Sequence, residues 1–293
     1  MISINEYLSN ILDDFVGYVR SQDKLCELLD VHFDAGRIPN YTNIHVQQLY
    51  LLRYAYAYAF EYKCIYRKLI KRLKQDEEID VTSIGCGNML DYWSLAHAVK
   101  NQYDIYYTGI DTINWSYCFE ARQQDSVQRF IGDAISFLQQ QEELASYIYI
   151  FPKSISEFSM EEISSFGNCF TRQRVTPQSL HFLFSLRTDR GSLERDMSKT
   201  KLLYQMLIEN GYHSNDDSDC YSIFVDDIKG KPIRIVDDDF QHPGDVIDFL
   251  KELDEKCAAI EHCSDRMKCE KRLTRWPILT CQYAAWQVFS FER

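Results

Sequence analysis

The sequence predicts an α/β protein with a seven-stranded, mostly parallel sheet, helices on both faces, an N-terminal helical layer and a helical insertion before the last strand. From residue 79 onward, short apolar runs suited to strands alternate with helical segments, a pattern typical of parallel sheets. Residues 1–74 show helical periodicity, whereas residues 227–282 interrupt the alternation. We therefore predict a helical region at 1–74 and a sheet domain at 75–293, with 227–282 as its insertion.

The N-terminal region is predicted to contain three helices. Ser3 and Glu6 have the spacing of a capping box, and apolar residues follow them at helical intervals. A short helix is expected over 22–33, a loop over 34–44 and a long helix over 45–74. Tyrosines recur every four residues along the long helix and form one stripe: Tyr50, Tyr54, Tyr58, Tyr62 and Tyr66. We expect this stripe to pack against other parts of the protein; the alternative is that some rings line a ligand pocket.

The sheet domain is predicted from its apolar runs and its turn residues. Strands are expected at 79–84, 105–110, 128–131, 147–151, 180–186, 221–225 and 283–289. Helices are expected between them at 91–100, 114–127, 135–144, 159–170 and 193–210. In the insertion, Pro243 suits the first turn of a helix that extends to about residue 263.

Composition limits the classes of protein that the chain can belong to. No apolar run approaches the roughly 18 residues of a membrane span, and the N-terminus lacks the pattern of a signal peptide. The ten cysteines are scattered through apparent core segments, which favours a reducing compartment over a disulfide framework. We therefore expect a cytoplasmic protein that does not contact a membrane.

Charge limits the possible partners. The net charge of −12 argues against a large nucleic-acid surface. A local basic patch at the end of the long helix is the one candidate for an RNA contact, and the alternative is a solvated helix end; it comprises Arg67, Lys68, Lys71 and Arg72. A protein partner is left open.

Candidate functional residues stand where the predicted strands end. In an open parallel sheet, ligands bind beyond the carboxyl ends of the strands, near the point where strand order reverses. Glycines there permit sharp turns, and an acid after the second strand can accept hydrogen bonds from a ribose diol. The residues at four successive strand ends are Gly85-Cys86-Gly87, Asp111, Gly132-Asp133 and Phe151-Pro152-Lys153-Ser154.

These strand ends resemble a known family. The segments SIGCGNMLD, YTGIDTINW, FIGDAISFL and YIYIFPKSISEF are similar to successive motifs of the class I S-adenosylmethionine-dependent methyltransferases, which have a Rossmann-like fold. The resemblance covers about residues 75–226 and the final strand. It implies S-adenosylmethionine as cofactor and methyl transfer as activity, with RNA, a protein or a small molecule as acceptor.

The resemblance also implies roles for individual residues. Gly85, Cys86 and Gly87 would pass under the methionine part of the cofactor. Asp111, with Thr112 beside it, would hold the ribose hydroxyls. Adenine would contact Asp133 and Ala134, and the transferable methyl group would lie beside Phe151 and Pro152.

Two departures from the family pattern change these expectations. The family often has an acid two positions before the first glycine, where this chain has Ser83; Asp91 is expected to supply that charge. The fourth strand end also lacks the Asn/Asp-Pro-Pro-aromatic run of enzymes that methylate nucleic-acid amino groups. The nearest polar residues that could steer a nucleophile are then Lys153, Ser154 and Glu157.

Three other interpretations of the loop and its fold are open. A dehydrogenase phosphate turn wants a small third residue at the position of Leu90, which disfavours dinucleotide binding. The loop could also be a corner without a ligand. A non-catalytic cofactor-binding subunit or sensor would keep the same fold, and the fourth strand end, with few side chains to orient an acceptor, keeps that interpretation open.

Two further groups of residues are given the plainer interpretation. Several aromatic residues could face a positively charged sulfonium, but core packing is expected for each: Tyr54, Tyr58, Tyr92, Trp93, Trp115 and Phe151. Cysteines and a histidine cluster near the C-terminus without the spacing of a zinc site, so we expect ordinary thiols and no metal: Cys257, His262, Cys263, Cys269 and Cys281.

Overall fold

A computed structural model describes most of the chain. The described residues are 1–22, 25, 28, 40–73, 78–100, 102–144, 146–172, 174–175, 179–188, 191–223, 242–258, 277–279 and 284–293. For 174–175, 254–258 and 284 only the backbone is described. No described helix is long and apolar enough to cross a membrane.

Helices and strands alternate through the second part of the chain, as the sequence predicts. The helices are α1 (Ile4–Ser21), α2 (Ile44–Ile70), α3 (Leu90–Val99), α4 (Ala134–Gln139), α5 (Met160–Arg172), α6 (Ser192–Glu209) and α7 (Gly244–Ala258). The strands are β1 (Ile79–Ile84), β2 (Ile105–Asp111), β3 (Ser126–Ile131), β4 (Glu143–Leu144), β5 (Ile148–Pro152), β6 (Arg174–Val175), β7 (Ser179–Arg187), β8 (Ser222–Ile223) and β9 (Ala284–Glu292). A short 3₁₀ turn, Ile155–Glu157, follows β5.

Seven of these strands form one mixed sheet in the order β3-β2-β1-β5-β7-β9-β8. The pairs from β3 to β7 are parallel, and β9 runs antiparallel to both β7 and β8. The predicted fold class, a seven-stranded and mostly parallel sheet with helices, is therefore confirmed. Strands β4 and β6 pair separately as a two-stranded ribbon.

The order of the strands defines where a ligand can bind. From β1 the chain moves outward through β2 to β3, and it then returns to place β5 on the other side of β1. Strand order reverses between β1 and β5, and open parallel sheets bind ligands beyond the carboxyl ends of strands at such a point.

The core on one side of this sheet is built largely from phenylalanine. Phe151, Phe182 and Phe184 are fully buried, and the rings of Phe151 and Phe184 stack with centroids 5.1 Å apart. Helix α5 adds Phe166 and Phe170 to the same cluster. Each such ring contributes roughly 1.5–3 kcal/mol by its removal from water, so this face holds the ends of β5 and β7 in place.

The described chain divides into two compact units. The first contains residues 1–60, 115–118 and 234–280, and the second contains 61–114, 119–233 and 281–293. Within the first, α1 packs on α7, with the rings of Phe15 and Phe249 5.9 Å apart. The predicted domain boundary at residue 74 falls inside the second unit, and helix α2 contributes to both units.

One predicted helix, 114–127, is wrong. The chain between β2 and β3 is irregular and contains a turn in which the Asp125 N–H donates to the Arg122 carbonyl. The Asp125 carboxylate accepts hydrogen bonds from Tyr92 and Arg122, and Arg122 also donates to the carbonyls of Lys100 and Tyr103. The Arg122 N–H donates to the Tyr92 hydroxyl, 30 residues away, where a helix would need the carbonyl four residues earlier.

Other predicted helices and strands exist in the structure but begin or end at different residues. The helix predicted at 135–144 ends at Gln139, because Glu143–Leu144 pairs with β6 instead. The last strand extends to Glu292, beyond the predicted 289. The predicted helix 22–33 and the ends of the predicted strand 221–225 and of the insertion helix lie largely outside the described residues.

Candidate functional site

The loop between β1 and α3 is held tightly against the end of β2. The N–H groups of Gly85 and Cys86 both donate to the Ile110 carbonyl, at 2.8 and 3.1 Å. Gly85 and Gly87 have φ of 73° and 56°, and Met89 has φ of 64°. Since a left-handed backbone is unfavourable for most residues, the two glycines let this turn form without strain at their own positions.

Close packing, as well as φ, requires glycine at residue 85. A Cβ at Gly85 would lie 2.5 Å from the Cβ of Ser154. Cys86 is 4% exposed, and its sulfur would lie 2.9 Å from a Cβ added at Gly109. Cys86 is therefore a small side chain packed inside the turn, and Gly85 lets the β5 end approach the loop.

Asp111 links the loop to the segment after β2. Its Oδ2 accepts a hydrogen bond from the Gly87 N–H at 2.8 Å, and its Oδ1 accepts one from the Ile113 N–H at 2.8 Å. Two main-chain donors thus fix the carboxylate of this half-buried residue at the strand end. Thr112, predicted to lie beside Asp111 in the cofactor site, is exposed.

Asp133 begins helix α4 as its N-cap. Its Oδ1 accepts a hydrogen bond from the Ser136 N–H at 2.7 Å. The residue is exposed, whereas Ala134 behind it is buried. The third strand end thus joins the same edge of the sheet as Asp111, since Asp111 and Ile131 are register partners.

The carboxyl end of β5, the fourth of the predicted strands, buries most of the side chains predicted to lie in the site. Phe151, Pro152 and Ser154 are all buried. The Phe151 ring lies in the phenylalanine core, and the Ser154 hydroxyl donates to the Ile84 carbonyl of β1. The place of Phe151 and Pro152 beside a methyl group, and of Ser154 as a residue that steers a nucleophile, stays a prediction.

Lys153 has an unusual position at the same strand end. It adopts a left-handed backbone with φ of 62° and is 6% exposed. Its ammonium lies 2.9 Å from Glu61 Oε2 and donates to the Leu186 carbonyl at 2.7 Å. Ser185 Oγ lies 3.5 Å from the same carboxylate. Burial raises the pKa of Glu61, and the adjacent Lys153 cation opposes that shift.

Glu157, in the 3₁₀ turn after β5, retains solvent exposure. Its pKa is raised to about 7, first because surrounding protein atoms remove water from the carboxylate and then because of the negative charge of Asp111; the cations of Arg187 and Lys199 oppose the shift. Glu157 is thus accessible to solvent and partly desolvated at the same time.

Helix α6 supports this turn with buried charge. The ammonium of Lys199 donates to the carbonyls of Ile155 and Ser156, each at 3.0 Å. Asp196, one turn earlier, is fully buried, and burial raises its pKa. The turn that carries Glu157 is therefore anchored from helix α6.

Asp91 lies beneath the loop. It is 1% exposed, and both of its oxygens accept the Tyr107 hydroxyl, at 2.9 and 3.0 Å, with Tyr66 at 3.4 Å. Burial raises its pKa to about 6, an effect that neighbouring Ser83 and Tyr107 reduce. The acid lies beside Ser83, where the family often has one, but its carboxylate is enclosed by protein groups. A direct contact with a cofactor stays a prediction.

The aromatic candidates are mostly packed or tied to other groups. Trp93 is fully buried and stacks on His97, and the Tyr92 hydroxyl donates to Asp125. Tyr54 and Tyr58 stack on each other with centroids 5.8 Å apart and are half-buried.

In the basic patch all four side chains are exposed. The Arg72 guanidinium pairs with Asp216 at 3.0 Å and donates to the Val288 carbonyl. The RNA contact through Arg67, Lys68, Lys71 and Arg72 stays a prediction.

Metal ligands do not cluster in the part of the chain that the structure describes, where no group of three or more His, Cys, Asp or Glu side chains could hold an ion. The side chains of Cys257, His262, Cys263, Cys269 and Cys281 lie outside the described residues.

The sequence did not reveal the charged residues around the carboxyl ends of β5 and β7. Glu61 had one visible signal, since it stands in the otherwise apolar run AYAYAF-E-Y of α2. Arg187 ends a strand, as the recognised candidates do. Asp196 and Lys199 lie in an amphipathic helix, and no local pattern distinguishes them from surface charges.

Known proteins resemble the chain only distantly. No protein-family model matches it, and no curated protein matches it. Among solved structures, a SAM-dependent methyltransferase from Archaeoglobus fulgidus is 15% identical over 79% of this chain and 92% of its own, with a TM-score of 0.40. The cyclopropane synthase MmaA2 from Mycobacterium tuberculosis is 10% identical over 92% of this chain and 95% of its own, with a TM-score of 0.43.

Proposed function

We propose that the chain binds S-adenosylmethionine at the carboxyl edge of the sheet and transfers its methyl group to an acceptor. The single observation that carries the proposal is the hydrogen bond from the Gly87 N–H to the Asp111 carboxylate, 2.8 Å long. It joins the glycine loop after β1 to the acid after β2, beside the point where strand order reverses.

The residues at this edge suit the cofactor. A carboxylate held by two main-chain N–H groups is oriented to accept hydrogen bonds from ribose hydroxyls. The loop Gly85-Cys86-Gly87 presents main chain and one small buried side chain, which lets the methionine part lie close. Leu90 at the position of a third small residue disfavours a pyrophosphate.

Glu157 is the residue that we assign to proton removal. When bound, S-adenosylmethionine supplies a methyl group on a positively charged sulfur, so the protein needs to align an acceptor and accept a proton. A carboxylate whose pKa is about 7 is a base poised near neutral pH. The bonds of Lys199 to Ile155 and Ser156 keep its turn in place.

A second candidate function is cofactor binding without catalysis. It is favoured by the burial of Phe151, Pro152 and Ser154 at the fourth strand end. At that strand end, among the described residues, only main-chain groups and Glu157 are left to orient a methyl acceptor. A sensor, or a subunit of an assembly, does not need to orient an acceptor.

Calorimetry and methyl labelling test these functions. Wild type should bind S-adenosylmethionine and S-adenosylhomocysteine but not NAD; binding of NAD alone would reverse the assignment. Labelled methyl donor is then incubated with RNA, protein and metabolite fractions of a cell extract. Label in one fraction, reduced about tenfold or more by Glu157→Gln, supports the enzyme and its base. Cofactor binding without label in any fraction favours the non-catalytic function.

A further inference from the structure

We propose that the buried Glu61–Lys153 ion pair allows a positively charged ligand to bind at the carboxyl edge of the sheet. Glu61 neutralises the Lys153 cation at the end of β5, the strand beside β1, so that a sulfonium can bind at this edge of the sheet as well as a neutral thioether does. The inference rests on the proposed function, because it concerns how the same site discriminates between S-adenosylmethionine and its demethylated product.

The first step is the location of Lys153. The next residue, Ser154, packs so closely on the loop that a Cβ at Gly85 would lie 2.5 Å from its own Cβ. Strands β5 and β1 are parallel neighbours, with Ile150 and Ser83 as register partners. Lys153 is therefore next in sequence to the residue that packs on the loop, and that loop is proposed to contact the methionine part of the cofactor.

The second step concerns the direction in which the Lys153 side chain extends from β5. The Ser154 hydroxyl donates toward β1, to the Ile84 carbonyl, whereas the Lys153 ammonium donates toward β7, to the Leu186 carbonyl. The left-handed backbone at Lys153 is one that few residues other than glycine adopt, so the surrounding contacts must hold it there. Those contacts fix a cation between β7 and Glu61, one residue before the serine that packs on the loop.

The third step is electrostatic. Lys153 is 6% and Glu61 is 2% exposed, so water screens their charges weakly. As a pair at 2.9 Å the two charges largely cancel at a distance. Without the Glu61 charge, the Lys153 cation would repel a sulfonium in the cleft but would not affect a neutral thioether.

Ligand pairs that differ in charge test the inference. S-adenosylmethionine and sinefungin carry a positive charge at the transfer position, and S-adenosylhomocysteine carries none. All three are titrated by calorimetry into wild type, Glu61→Gln, Lys153→Met and the double variant. Titrations at about pH 6 favour the charged form of a buried lysine whose neighbouring carboxylate has been replaced. Glu209→Gln, an exposed acid at the end of α6, is the matched control.

Glu61→Gln should weaken binding of both cationic ligands about tenfold while binding of S-adenosylhomocysteine changes less than about threefold. The double variant Glu61→Gln/Lys153→Met should restore the wild-type ratio. Should Glu61→Gln fail to fold, Lys153→Met decides: at about pH 8, where the remaining Glu61 carboxylate is charged, the preference for S-adenosylmethionine should increase about threefold or more.

Equal losses for charged and neutral ligands, an unchanged ratio in Glu61→Gln, or an unchanged or reduced preference for S-adenosylmethionine in Lys153→Met would each overturn the inference and leave the proposed function standing. A wild type that binds none of the three ligands would instead remove the proposed function, and the inference with it.

Discussion

The two halves of the carboxyl edge are built in different ways. At the ends of β1 and β2, main-chain N–H groups and one carboxylate, Asp111, make the contacts. At the ends of β5 and β7, buried side-chain charges do so, with Lys153 paired to Glu61 and Lys199 holding the turn of Glu157. In the proposed function the first half recognises the constant part of the ligand, and the second half sets the charge around its reacting end.

The difference shows how such a site divides its work. Backbone geometry changes little from one bound state to another, so it suits the parts of a ligand that stay the same. Charges in a poorly hydrated environment act strongly on small changes in ligand charge, so they suit the reacting end.

The largest expected effect tests the recognition half. Asp111→Asn should weaken S-adenosylmethionine binding by about 100-fold, because an amide holds the two N–H groups and a ribose less strongly than a carboxylate does; the loss corresponds to about 3 kcal/mol. Calorimetry measures it. Asp104→Asn, an exposed acid just before β2, is the control and should bind as wild type does. Equal affinities in the two variants would show that Asp111 is not part of the binding surface.

The contact between the two halves is tested next. Gly85→Ala should lower the free energy of unfolding by about 2–4 kcal/mol, because its Cβ would lie 2.5 Å from Ser154 and its φ is 73°. Urea denaturation measures the change. Gly17→Ala in α1, where nothing lies within 4 Å of the added Cβ, should instead stabilise the protein by about 0.5–1 kcal/mol. A loss of the same size at both positions would contradict the proposed contact.

The smallest expected effect concerns the buried acid beneath the loop. The pKa of Asp91 is about 6 in the folded protein against an ordinary value of 3.8, so the folded state binds its proton more tightly. Its contribution to stability is complete below about pH 3.8 and is lost as pH rises through about 6. The free energy of unfolding of wild type relative to Asp91→Asn should therefore fall by about 2 kcal/mol between about pH 4 and pH 7.

Urea denaturation across this range measures that difference. His181, whose pKa is lowered to about 4 by burial, titrates in the same window with the opposite sign, so the wild-type curve alone is not informative. A difference that does not depend on pH would show that Asp91 is not perturbed.

The recognition half was predictable because its signals are local. Strand periodicity places Asp111 and Gly85 at strand ends, and the strand order then brings those ends together. The predicted helix at 114–127 failed because Arg122 and Asp125 find partners as distant as Tyr92 and Ile105, which no local pattern shows.

The charge-adjusting half was not predictable in the same way. Glu61 and Lys153 are 92 residues apart in sequence, and their pairing depends on how α2 lies against the strand ends. Sequence could identify Lys153 and Glu157 as polar residues near a strand end, but not which of them is neutralised and which is exposed. Burial decides that, and it follows from packing.

Strand β3 has a practical consequence for work with the protein at high concentration. Among the described strands it pairs only with β2, so one edge of its backbone is left for another chain. Phe130 is 41% and Ile131 is 51% exposed, and Tyr106 on β2 is 44% exposed on the same face as Phe130. Exposed apolar side chains beside the edge of a sheet promote aggregation, and natural proteins often have lysine on such edge strands. Tyr106 is on β2, five residues before Asp111, so Tyr106→Lys would remove an exposed apolar ring from this face away from the proposed ligand-binding edge.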